Sequence, residues 1–486
     1  MQLKRKVLGL ALAGAMAGLL TGCGSDSSDA PAASTKNVIF FLGDGMGIPT
    51  LTAARIYSVG EDGDLTIDTL PETAFVRTFS EDAQVTDSAP SMAAYMTGVK
   101  MRNEVISMQT GTVAVSPTSD LTSNCASNAA NTGKLPVDTL LELAKAKGMG
   151  TGVVTTTRIT HATPATTYSH VCHRDAENDI AAQLVPGGAG TGFAAYNSKL
   201  GQGVDVVLGG GRQFFTPKAD GGKRADGRNL VNEMKTQGYT YVSKGSELAG
   251  VDASKTGKLF GLFNSSHMNY ELDRSKNSID EPSLADMATK ALDVLANKKK
   301  PFFLMVEGGR IDHALHDSNA KRALVDTVAF DNAIKAVIAK VRLVDPDLKN
   351  TLIVVTADHD HTIVLNGYAA RTGKTTASQA GVLGLVKDYS TGQPALDVND
   401  KPYTIIGFGN GYNRADNDRK DVVLDDSTAS GDDYHQEVVI PTGAIGNETH
   451  GGTDVFLGAI GAGADLFHGS LENKDVFGLV RQASGL

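Results

Sequence analysis

Four short stretches of this chain place acids, imidazoles and a hydroxyl where they could hold metal ions and attack a substrate. In "VEGGRIDHALH" Asp312 and His316 stand four residues apart, so one helical turn puts both side chains on one face. In "TLIVVTADHDH" Asp358 and His359 follow directly on an apolar run, and in "ETHGGTD" His450 sits in a glycine-flanked turn where packing gives little reason for an imidazole. Imidazole mixed with carboxylate suits zinc, whereas an all-oxygen set suits magnesium, and Asp44, Thr163 and Glu307 could supply the latter. In "VTDSAPSMAAYMTGVK" Ser88 follows Asp87 at what reads as a helix start. Serine and aspartate are the favoured residues there simply as caps, so Ser88 needs a metal or base nearby before it reads as a nucleophile.

Those residues need a scaffold that brings them together. Apolar, β-branched runs read as buried strands: "NVIFFL" (37–42), "TGVVTTT" (151–157), "VDVVLG" (204–209), "FFLMVE" (302–307), "TLIVVTAD" (351–358) and "YTIIGF" (403–408). Between several of them lie helical patterns at 137–148, 282–298 and 319–341. The alternation predicts an α/β fold, a large and mostly parallel central sheet with helices on both faces. Three of the strands end on carboxylates, Asp44, Glu307 and Asp358, and parallel sheets bind ligands beyond the carboxyl ends of their strands. Residues 364–447, rich in Gly, Asp, Asn and Thr, read as a loop-rich insertion within a single catalytic domain spanning 37–486.

The first 22 residues stand apart. Lys4, Arg5 and Lys6 precede a short apolar run ending in "LTGC", which resembles a bacterial lipoprotein signal and implies a lipid on Cys23, with 23–36 as a flexible tether. Export to the periplasmic side or the cell surface follows, anchored to the membrane by lipid alone. Gly24, standing where an acidic retention residue could be, points to the outer membrane. Removing residues 1–22, whose only charges are those three cations, moves the net charge from −10 to −13. A chain this acidic, without a basic stripe, is not built for nucleic acid. With Cys23 lipidated, Cys125 and Cys172 could form a disulfide in an oxidising compartment or remain two buried thiols.

The segments "IFFLGDGMG", "VTDSAPSMAAYMTGVK", "THATPATTYSHVCHR", "VEGGRIDHALH", "TADHDH" and "THGGTD", in this order across about 37–470, resemble the alkaline phosphatases, and the animal and marine-bacterial branch more than the enteric one. His161 and His313 stand where enteric enzymes carry Asp and Lys. The resemblance implies a three-layer α/β/α fold, hydrolysis of phosphate monoesters and a homodimer. It implies one zinc on Asp312, His316 and His450, and a second on Asp44, Asp358 and His359 with Ser88 as labile partner. A magnesium would sit on Asp44, Thr163 and Glu307. Arg174 would clamp the phosphate, whereas Asp87, His161, His313 and His361 would support the site from behind. Phosphodiesterases and sulfatases of the same superfamily share Asp44, Asp358–His359 and His450. Diesterases, however, tend to use threonine as nucleophile, and sulfatases a modified Cys or Ser. A non-catalytic lipoprotein that stores or senses zinc or phosphate would have to lack one of these residues, and none is missing.

Overall fold

A computed structural model describes residues 36–486. The leader, Cys23 and the tether up to residue 35 lie outside the described residues.

Ten strands form the main sheet: β1 (Asn37–Gly43), β2 (Glu72–Arg77), β3 (Gly150–Arg158), β4 (Val206–Gly210), β5 (Thr240–Val242), β6 (Leu259–Leu262), β7 (Phe302–Gly308), β8 (Thr351–Ala357), β9 (Val455–Gly461) and β10 (Gly469–Glu472). Their order is β10-β2-β9-β8-β1-β7-β3-β4-β6-β5. Only β9 runs against the rest, pairing antiparallel with both β8 and β2. The central strands β1, β7 and β8 are buried along nearly their whole length. A strand covered on both faces has no polar side to alternate with, which is why "NVIFFLG", "FFLMVEG" and "TLIVVTA" read as unbroken apolar runs.

Two helical layers cover the sheet. One contains α4 (Leu284–Ala296) and α6 (Ala320–Arg342), with α1 (Ile48–Val59) packed on α6. The other contains α2 (Ser88–Thr97), α3 (Leu140–Ala146) and α7 (Asn473–Ser484). The short helix α5 (Arg310–His316) follows β7 directly. α4 starts in a capping box between Ser283 and Asp286 and turns Leu284, Met287, Ala288, Ala291, Leu292 and Leu295 to the core. No helix among the described residues is long and apolar enough to cross a membrane.

Register decides where the polar residues land. Gly43 pairs with Gly308 on one side and with Ala357 on the other, while Leu42 pairs with Glu307 and Thr356. Thr155 of β3 also pairs with Glu307. Asp44 and Asp358 therefore emerge level with each other at one end of the sheet, with Glu307 two residues back on β7.

Residues 363–441 hold a separate three-stranded sheet, with Ile406–Gly411 between Ile363–Leu365 and Val438–Pro441. Its central strand starts three residues later than the apolar run "YTIIGF" suggests. Tyr403 and Thr404 instead pair with Leu385 and Val386, and the Thr404 hydroxyl donates to the Ile406 carbonyl at 2.6 Å.

Candidate metal centre and active site

The turn after β1, "GDGMG", passes close under the other strand ends. Gly45 has φ +67°, and a Cβ there would meet His361 Nε2 at 2.5 Å, so glycine is required. Its N–H donates to Asp358 Oδ1 at 3.0 Å, which ties two of the strand ends together.

The helix start at residue 88 separates capping from chemistry. Asp87 is the cap: its Oδ1 accepts from the Ala89 N–H at 2.8 Å. Ser88 is the first helical residue, nearly fully buried, with Oγ 3.4 Å from Asp44 Oδ1 and 3.3 Å from His359 Nε2. Asp87 also orients Arg174, whose Nη1 donates to Oδ1 at 3.0 Å, while its other oxygen accepts the Glu104 N–H. Arg174 Nη2 donates to His161 Nε2 at 3.0 Å. Burial opposes the Arg174 charge, but Asp87, Glu104 and Asp44 hold the guanidinium protonated more firmly than usual.

The sequence-predicted metal ligands converge in adjoining groups. Asp312, His316, His361 and His450 form one, with His316 Nε2 at 3.2 Å and His450 Nε2 at 3.5 Å from Asp312 Oδ1. Asp44, Asp358 and His359 form the next, with His359 Nε2 3.5 Å from both carboxylates. Stacked rings of His359 and His450, 3.5 Å between centroids, join the two. Asp44 also belongs to a group with Glu307 and His161, and Thr163 Oγ1 donates to Asp44 Oδ2 at 3.5 Å.

These donors fit divalent cations. His316, His359 and His450 each donate Nδ1–H to a backbone carbonyl, of Glu448 (2.5 Å), Asp360 (3.1 Å) and Thr86 (2.8 Å). That fixes the neutral tautomer and turns each Nε2 lone pair inward. His316 and His450 Nε2 then face each other at 3.1 Å, an arrangement that needs a proton or a metal between lone pairs. Glu307 Oε1 and Asp358 Oδ2 are buried without a partner. Burial, then Asp358, Asp312 and Glu307, push Asp44 well above the carboxylate range. Glu307 is pushed up to about 7 by burial and Asp358, against the hydroxyl bonds from Thr155 and Thr157. So many buried carboxylates demand positive charge. Burial would also raise Asp312, but His316, His361 and His450 hold it well below its usual range.

The structure adds residues that motif reading missed. Thr155 and Thr157, two apart on one strand face, both donate to Glu307 Oε2, the second at 3.2 Å. Glu448 is fully buried and accepts from His361 Nδ1 at 2.6 Å, while its backbone carbonyl orients His316. His361 Nε2 in turn donates to Asp312 Oδ1 at 2.8 Å, so His361 bridges two carboxylates instead of offering a lone pair. Only the "ETH" spacing hinted at Glu448. His267, in the loop after β6, packs edge-on against His161 and His313 at 5.2 and 4.2 Å, and no motif marked it. Away from the metal groups, Cys125 and Cys172 are joined by a disulfide, two residues ahead of Arg174.

Comparison with known proteins shows the family. The alkaline phosphatase family profile matches residues 35–486. The tissue-nonspecific alkaline phosphatase isozyme of Mus musculus is 37% identical over 476 residues, covering 92% of this chain and 83% of that protein. The alkaline phosphatase of Gadus morhua is 36% identical, covering 90% and 89%. Among solved structures, Thermus thermophilus alkaline phosphatase superposes with TM-score 0.65 at 25% identity, covering 93% of this chain and 92% of that one. The chain belongs to the alkaline phosphatase family, metal-dependent phosphomonoesterases built on a three-layer α/β/α fold.

Proposed function

We propose that this phosphomonoesterase works by double displacement through Ser88, with two zinc ions and one magnesium. The carrying observation is the buried Ser88 Oγ between Asp44 and His359, beside a guanidinium held by Asp87. Asp312, His316 and His450 would hold one zinc, Asp44, Asp358 and His359 the other, and Asp44, Thr163 and Glu307 the magnesium. When bound, such ions lower the pKa of oxygen nucleophiles and offset charge on attacking and leaving oxygens.

Arg174 presents a planar fork that matches two phosphoryl oxygens, and Asp87 fixes its plane. The free N–H groups at the start of α2 favour the same anion. Ser88 Oγ attacks phosphorus, the ester P–O bond breaks, and the leaving oxygen departs as the alcohol. The Ser88 phosphoester is then cleaved by water, which releases inorganic phosphate and restores the hydroxyl. His361, clamped by Glu448, holds Asp312 in place, and Thr155 and Thr157 hold Glu307. His161 steadies Arg174 from its other side.

Purified protein should lose 4-nitrophenyl phosphate hydrolysis on chelation and recover it with zinc plus magnesium, but not with magnesium alone. Activity that survives chelation contradicts the reading. Faster turnover of bis(4-nitrophenyl) phosphate than of the monoester would favour a diesterase instead. We also propose lipid attachment at Cys23 and a homodimer in solution, to be checked by labelled-acyl incorporation into wild type against Cys23→Ser, and by sedimentation.

A further inference from the structure

Beside Arg174 lies a basic cluster that the scheme above leaves largely unused. Arg310, the first residue of α5, stands over the Tyr270 ring with its guanidinium carbon 3.8 Å from the ring centroid. Its Nη1 donates to His313 Nδ1 at 2.7 Å, and its Nε is buried without a partner. Neither Nε nor Nη2 meets an acceptor among the described residues, and no carboxylate there lies within ion-pair distance of this arginine. Asp317 accepts from the Tyr270 hydroxyl at 3.0 Å and Asp326 from the Glu271 N–H at 3.1 Å, and Asp326 feels the Arg310 charge without a direct pair to it. Arg158, by contrast, is neutralised by a two-pronged pair with Glu177.

A guanidinium can only donate, so His313 Nδ1 is the lone-pair nitrogen and Nε2 carries the hydrogen. That N–H has no acceptor among the described residues. His267 borders the cluster with Nδ1 near the Arg158 backbone N–H and Nε2 near Arg158 Nη1, and its single lone pair can accept from only one of the two. Arg310 Nη2 and His313 Nε2 are thus unspent donors on a guanidinium without a direct ion pair and its neighbouring ring, which is the chemistry of an oxyanion site. It adjoins the phosphate clamp, since the His313 ring lies 5.2 Å from that of His161, which accepts from Arg174.

We propose that Arg310 and His313 form a second oxyanion subsite, which takes a further phosphate group carried by the leaving alcohol. The inference rests on the phosphomonoesterase reading and adds to it a preference among substrates. Monoesters whose alcohol bears another phosphate are cleaved ahead of those with a neutral alcohol.

The matched pair ethane-1,2-diyl bisphosphate and 2-hydroxyethyl phosphate isolates that second group. With metal-loaded enzyme, kcat/KM is expected to favour the bisphosphate by about tenfold or more, the range of one charge-assisted contact. Arg310→Gln should collapse this ratio to about threefold or less, with Arg310→Lys keeping part of it. No preference in the wild type, or an equal fall for both substrates in Arg310→Gln, would overturn the subsite. Hydrolysis of neither substrate would overturn the function reading along with it. A measurement independent of the variants uses ethane-1,2-diyl bisphosphonate and ethylphosphonate as competitive inhibitors, in buffer with zinc and magnesium in excess. The bisphosphonate should bind at least about tenfold tighter, and equal inhibition refutes the proposal. A metal count that falls by one ion per chain in His267→Gln would assign the cluster to a cation and overturn it too.

Discussion

Glu448→Gln should weaken zinc at the Asp312–His316–His450 group although Glu448 is not a proposed ligand. The Glu448 carboxylate is buried and accepts three hydrogen bonds, from His361 Nδ1 (2.6 Å), the Thr362 N–H (2.8 Å) and the Thr362 hydroxyl (2.5 Å). His361 faces a carboxylate at each nitrogen, so it is an imidazolium. Burial works against that charge, yet Glu448 and Asp312 push His361 up to about 10. In Glu448→Gln the amide oxygen can keep both Thr362 bonds, which leaves the amide N–H₂ facing His361 Nδ1–H, donor against donor. One charge-assisted hydrogen bond is lost, at about 1.5–3 kcal/mol. His361 then holds Asp312 less firmly, and a buried negative charge beside the metal group is gone. Perturbing a group that orients a metal ligand typically costs about 10–100-fold in affinity. Equilibrium dialysis against a graded zinc chelator should show one zinc per chain released at a correspondingly lower chelator strength. Activity should return with added zinc. Unchanged zinc retention, or lost activity that no zinc restores, would refute the reasoning.

Three further outcomes follow from the same contacts. Arg174→Ala should weaken competitive inhibition by inorganic phosphate and raise KM more than it changes metal content; an unaltered phosphate Ki removes Arg174 from the clamp. Replacing Cys125 and Cys172 by serine opens a loop with a sequence separation of 47, worth about 4 kcal/mol by the loop-entropy relation, and should lower Tm while loosening phosphate binding through the nearby Arg174. A Tm shift within error contradicts this. Burial would raise Asp205, but Lys145, Lys298 and the Thr151 N–H hold its carboxyl below the usual range. Its stabilisation is therefore present above the unfolded-state pKa of about 4 and is lost as pH falls through the folded value. Asp205→Asn should destabilise the protein at neutral pH by about 3 kcal/mol or more, as expected when one partner of a buried ion pair is removed, and should narrow the stability difference from wild type in acid. A difference that does not change with pH would contradict the assignment.

Much of this site is readable in the chain because burial on both faces forces β1, β7 and β8 to be continuous apolar runs. A carboxylate at the end of such a run, as at Asp44, Glu307 and Asp358, is conspicuous. The i, i+4 pair Asp312–His316 is legible for a similarly local reason, one helical turn. What stayed hidden depends on contacts distant in sequence. Glu448 reaches His361 across 87 residues, and Thr155 reaches Glu307 across 152 through strand pairing that no local pattern encodes. The strands Val455–Gly461 and Glu72–Arg77 escaped notice for another reason. The first is broken by Gly458 and Gly461 and is only partly buried, and the second alternates buried and exposed residues beside the sheet's edge strand, where an apolar run is not required. His267 sits in an irregular loop, and only the fold shows that it faces two other imidazoles.

The central claim is that Ser88 carries the phosphoryl group between substrate and water. Enzyme loaded with zinc and magnesium, turned over with a labelled monoester, quenched in acid and digested with trypsin, should yield one labelled peptide, "TFSEDAQVTDSAPSMAAYMTGVK" (78–100), with the phosphate on Ser88. Label on another residue, or label undiminished in a Ser88→Ala variant of unchanged metal content, would contradict the account.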